Sequence, residues 1–139
     1  MQYRVTVNAF IFNREGKILI CRQPEGRGVF PGQWAVPGGG IDEGETMTEA
    51  LKREIKEEVG LEIGDIKPLF FSDDVREKFK DGEKTSDVYM IYLRFTCRTE
   101  STEVRLNKEH DDYVWVTREE IRKYNLNKPT IESLKYLEW

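Results

Sequence analysis

The chain has 139 residues and a 35% share of charged side chains, yet its net charge is only −4 and it carries one histidine and two cysteines. That length supports one real core and is short for two, so a single domain over residues 1–139 is expected. A mixed-sign surface without basic excess argues against a nucleic-acid partner, and no apolar run or basic leader suggests a membrane span or export, so a cytoplasmic protein is expected.

In chain order, Val5 to Phe12 and Lys17 to Arg22 read as strands flanking the turn Asn13 to Gly16. The stretch QPEGRGVFPGQW reads as a loop, followed by the brief apolar Ala35 and Val36 and then by three glycines. Thr46 with Glu49 makes a capping box for a helix over Met47 to Val59, and Gly60 stops it. Lys67 to Phe71 and Asp87 to Cys97 are predicted strands around a polar loop, REKFKDGEKTS. Tyr113 to Val116 is a further strand. Thr117 with Glu120 predicts a second capped helix, and Pro129 opens a terminal helix toward Leu137. This order implies an α/β fold with a mixed sheet and helices packed on it. Cys21 and Cys97 lie in apolar strand-like runs and read as buried reduced thiols, and His110, beside Asp111 and Asp112, reads as a solvated loop residue.

The segment GGGIDEGETMTEALKREIKEEVG concentrates six Glu and one Asp between Gly38 and Gly60. At about 100° per residue, Met47, Leu51, Ile55 and Val59 form an apolar stripe with Glu54 and Glu58 along its edge and Glu57 a step further round. Carboxylates at such spacing repel one another unless cations neutralise them. Oxygen donors without Cys or His select Mg²⁺, with Mn²⁺ as a substitute. Gly38, Gly39 and Gly40 allow the main chain to approach a ligand closely, so a backbone carbonyl can join the carboxylates.

Gly39, Glu45, Arg53, Glu54, Ile55, Glu57, Glu58, Gly60 and Leu61 match each fixed position of the Nudix box, G-x5-E-x7-R-E-U-x-E-E-x-G-U, and the chain resembles that family. The resemblance implies an α/β/α sandwich that cleaves a nucleoside diphosphate linked to another group with divalent cations. It implies metal binding by Glu54, Glu57, Glu58 and the Gly38 carbonyl, an Arg53 that holds Glu carboxylates in place, and a Glu45 that supports the helix start. The resemblance also implies in-line attack of water on phosphorus, with either Glu54 or Glu109 to take its proton. Arg22 resembles the position that presents a cation to substrate phosphate, although a surface salt bridge would use an Arg equally well. Phe30 and Trp34 suit either base stacking or the core.

Likeness beyond the box, in GVFPGQWA, FFSDDVREK, DVYMIYLRFTC and YNLNK, points to nucleoside triphosphatases of the family. It implies hydrolysis of pyrimidine deoxynucleoside triphosphates (dUTP, dTTP, dCTP) to monophosphate and pyrophosphate. An oxidised-purine triphosphatase, an ADP-ribose pyrophosphatase and a non-catalytic binding module of the same fold are the alternatives, and homodimers are common in the family.

Overall fold

A computed structural model describes all residues from Met1 to Trp139. Seven strands and two helices follow in the order β1 (Gln2–Phe12), β2 (Ile18–Arg22), β3 (Trp34–Ala35), β4 (Gly38–Gly40), α1 (Met47–Val59), β5 (Gly64–Lys80), β6 (Glu83–Arg98), β7 (Asp112–Val116) and α2 (Lys128–Leu134). The sheet is mixed: β1 runs parallel to β6, while β1 with β2 and β4, β2 with β3 and β7, and β5 with β6 are antiparallel.

Strand alternation divides the core between two faces. Val7, Ala9 and Ile11 of β1 join Leu19, Cys21, Phe95 and Cys97 beneath α1, where Ala50, Leu51, Ile55 and Val59 are fully buried. On the opposite face Phe10, Ile18, Ile20 and Val36 pack with Val116, Ile121, Leu126 and Leu134 of the C-terminal segment. Each fully buried aliphatic side chain of this kind contributes about 1.5–3 kcal/mol, and the two layers together make the expected α/β/α arrangement. Both cysteines are free and buried.

Three expectations need correction. The polar segment REKFKDGEKTS is no loop: β5 and β6 continue through it as a long hairpin that turns at Asp81 (φ 52°) and Gly82 (φ 80°). Positive φ at both central residues is what a type I′ turn demands, and Asp-Gly supplies it. Thr117 and Glu120 form their reciprocal cap, with Glu120 accepting from the Thr117 N–H at 2.9 Å, but only a 3₁₀ turn, Ile121–Lys123, follows. Met47 is 47% exposed and leaves the apolar stripe, whose inner edge is completed by buried Glu58.

The parallel register of β1 and β6 sets up the site. Arg4 stands beside Met90, Thr6 beside Tyr92 and Asn8 beside Arg94. In parallel strands such partners share a face, so polar side chains alternate here with apolar ones that reach the α1 core.

Candidate active site

The helix is aimed by its ends. Thr46 accepts from the Glu49 N–H while Glu49 accepts from the Thr46 N–H, and Gly60 closes the other end with φ 74°. This holds the edge of α1 against β4. The backbone of Gly39 meets the Glu54 carboxylate so closely that a Cβ there would lie 2.4 Å from Oε2. The Gly38 N–H donates to Glu58 Oε1 at 3.3 Å.

Arg53 ties the acids together. Its Nε and Nη2 donate to both oxygens of Glu45 at 2.6 and 2.9 Å, Nη2 also reaches the Gly40 carbonyl at 3.1 Å, and Nη1 donates to Glu54 at 2.9 Å and Glu57 at 3.2 Å. Glu45 in turn accepts from the Asp42 N–H at 2.8 Å, and these bonds, Arg53 first, hold its carboxyl down at about 2. Fork geometry of this kind fixes orientation as well as charge.

Glu58 has no such partner. Its side chain is 7% exposed, and burial, then the charge of neighbouring Glu54, pushes its carboxyl well above the usual range. His110 Nδ1 lies 3.6 Å from Glu58 Oε1, but burial lowers that imidazole to about 4, so it is neutral near pH 7 and leaves the carboxylate uncompensated. His110 is therefore no solvated loop residue: its side chain is 13% exposed and faces the site.

The acids do not all converge. Glu54 and Glu58 adjoin, whereas the Glu57 side chain is 55% exposed and turned toward Arg53. No three His, Cys, Asp or Glu side chains are gathered as a ligand set.

Beside Glu58 a cavity of about 130 Å³ opens between β1, β4 and β6, lined among others by Arg4, Phe30, Tyr92, Arg94, Glu109, His110 and Asn127. Arg4 also borders a second depression with Glu54 and a third with Arg27, Lys78 and Lys80. The acids thus face a cationic rim. Glu109 lines the cavity and accepts weakly from Arg27 Nη2 at 3.4 Å.

Arg22 does not line the cavity; its Nε and Nη2 each donate to Asp111 at 2.8 Å. Trp34 packs edge-on against Tyr124 at 5.0 Å in the core, whereas Phe30 lines the cavity with the Arg76 guanidinium 4.5 Å above its ring.

Sequence reasoning missed Arg4, Arg94 and Asn127. Arg94 is 3% exposed with no hydrogen-bond partner for Nε or Nη1, and burial lowers it only to about 10, so it stays charged. Each buried donor left unpaired costs about 1–3 kcal/mol. The available signal was a charge placed among apolar residues in the strand YLRFTC.

A family model described as NUDIX domain matches residues 2–137. The nucleoside triphosphatase NudI of Escherichia coli K12 is 46% identical over 138 residues, covering 97% of this chain and 96% of the relative. Among solved structures, a MutT protein from Methanosarcina mazei Go1 aligns with TM-score 0.73 and 28% identity over 99% of this chain and 91% of its own. The NUDIX domain of Shewanella oneidensis NrtR complexed with ADP ribose aligns with TM-score 0.75 at 17% identity over 99% and 88%, a likeness of fold.

Proposed function

The chain belongs to the Nudix family of hydrolases, and on that premise we propose that it hydrolyses nucleoside triphosphates to monophosphate and pyrophosphate, preferring pyrimidine deoxynucleotides, as one domain over residues 1–139. A cytoplasmic setting follows from such substrates. The observation that carries this reading is the buried Glu58, itself without a fixed cation and beside Glu54, on a cavity lined by Arg4, with Arg27 on the adjoining depression.

The donor set fits a hard divalent cation. Glu58 and Glu54 offer carboxylate oxygens and Gly38 a nearby carbonyl, and a bound cation would relieve the burial and the Glu54 repulsion that raise the Glu58 carboxyl. Glu57 would complete the set by leaving Arg53, its exposed side chain being free to turn. When bound, Mg²⁺ or Mn²⁺ would lower the pKa of water and neutralise charge on the phosphate oxygens.

The chain's own residues do the rest. Arg53, anchored by Glu45, keeps Glu54 oriented, a supporting role that the metal site depends on. Arg4 and Arg27 draw the polyphosphate to the cavity mouth. Glu109 takes the proton of the attacking water, since it lines the cavity and is held only by a 3.4 Å contact, whereas Glu54 is fastened to Arg53 at 2.9 Å. Arg22, held by Asp111, serves the rim of β2 rather than the phosphates.

The test is a panel of nucleoside triphosphates, oxidised dGTP and ADP-ribose assayed with Mg²⁺ and again with excess EDTA, the products resolved as phosphate or pyrophosphate. The expected result is pyrophosphate release, highest kcat/KM for dUTP, dTTP or dCTP, and no turnover with EDTA. ADP-ribose or oxidised dGTP as the best substrate overturns the assignment.

A further inference from the structure

The cavity beside Glu58 also holds a buried cation whose hydrogen bonds are not made within the chain. Arg94 is 3% exposed, lines the cavity, and has no partner for Nε or Nη1. Gly38, Asn8 and Arg94 form one row across β4, β1 and β6. Two strand spacings, about 10 Å, therefore separate the strand that touches Glu58 from the one that carries Arg94. That span resembles the reach from an α-phosphate to the far edge of its base.

Asn127, also 3% exposed, lines the same cavity; its amide oxygen accepts from the Thr130 N–H at 3.0 Å, which leaves Nδ2 as a donor. Phe30 and Tyr92, ring centroids 6.1 Å apart, supply apolar faces. Donors without a matching acceptor, beside aromatic rings, call for a flat ligand with a carbonyl edge.

We propose that Arg94, supported by Asn127, is the base-reading residue of this enzyme and donates to the O2 carbonyl of a pyrimidine. O2 is shared by uracil, thymine and cytosine and has no counterpart in adenine, so a donor-only guanidinium there accepts all three pyrimidines. The inference rests on the nucleoside triphosphatase reading and deepens it.

The test compares dUTP, its 2-thio analogue and a deoxyribose triphosphate lacking a base, on the wild type and on Arg94→Met. Hydrogen bonds to charged groups predict that the wild type prefers dUTP over the 2-thio analogue at least about tenfold in kcat/KM. Arg94→Met should lose that preference and leave the base-free substrate unchanged. Equal losses on dUTP and the base-free substrate, or a wild type indifferent to the 2-thio change, overturn the proposal. Should Arg94→Met not fold, the wild-type comparison alone decides. If no triphosphate is hydrolysed, the nucleoside triphosphatase reading fails, and titration with non-hydrolysable α,β-imido dUTP and its 2-thio counterpart decides this inference separately: binding at least tenfold tighter for dUTP supports it, and equal Kd values overturn it.

Discussion

Arg53 grips both carboxylate oxygens of Glu45, at 2.6 and 2.9 Å, and uses its remaining nitrogen on Glu54 and Glu57. One guanidinium therefore connects the loop before α1 to the acids on its inner edge. Glu45→Gln would weaken that fork, and the loss of a supporting partner of this kind lowers activity by about 10–100-fold. The pH dependence has a definite sign. A carboxyl lowered from 4.5 to about 2 contributes stability that is present above pH 4.5 and lost as pH falls toward 2. The gap in Tm between wild type and Glu45→Gln should be widest near neutral pH and close across that window, as thermal melts in a pH series would show.

Gly38→Ala should be severe. At φ 150° a Cβ would lie 2.0 Å from the Val7 carbonyl oxygen and 2.6 Å from the Asn8 Cα, and neither backbone atom can move without disturbing β1. Overpacking of this kind costs about 3 kcal/mol. A denaturant titration showing less than about 1 kcal/mol of loss would mean that β4 can shift away from β1.

The two cations near β1 and β2 should separate cleanly. Arg22→Ala removes a guanidinium already occupied by Asp111, so KM should change by less than about twofold. Arg4→Ala removes a cation from the cavity mouth, and KM should rise about tenfold, the equivalent of one charge-assisted hydrogen bond. Steady-state kinetics on both variants would expose a reversed assignment directly.

Glu109→Gln should lower kcat by about 100-fold or more while metal affinity holds, as expected on removing a general base. Glu54→Gln should weaken metal binding as well as rate. If titration instead finds Glu54→Gln binding metal normally and turning over poorly, with Glu109→Gln unaffected, the proton goes to Glu54.

The helix and its caps were legible because Thr46, Glu49 and Gly60 act through bonds within a few residues. The Nudix box was legible for a similar reason, its acids being spaced along one helix. Asp81-Gly82 was a readable hairpin signal, but the charged residues around it masked strands that are largely exposed to solvent. Glu57 turned to Arg53, its neighbour one helical turn back, rather than to the other acids, a choice among neighbours that spacing leaves open. His110, Arg94 and Asn127 meet only through strand register and the return of the C-terminal segment, contacts between residues far apart in the chain.

The most direct measurement is a pair of assays on Glu58→Gln: kcat with Mg²⁺, and Tm of the metal-free protein from pH 4 to pH 8. Burial and Glu54 raise the Glu58 carboxyl above its usual 4.5, so in the metal-free protein its ionisation costs stability as pH rises. A metal-binding Glu58 predicts a kcat lowered at least about 100-fold, together with a metal-free Tm equal to or above that of the wild type, the difference growing with pH. A variant that melts several degrees lower without metal and keeps near-normal kcat would show a structural acid instead, and would contradict the account at its centre.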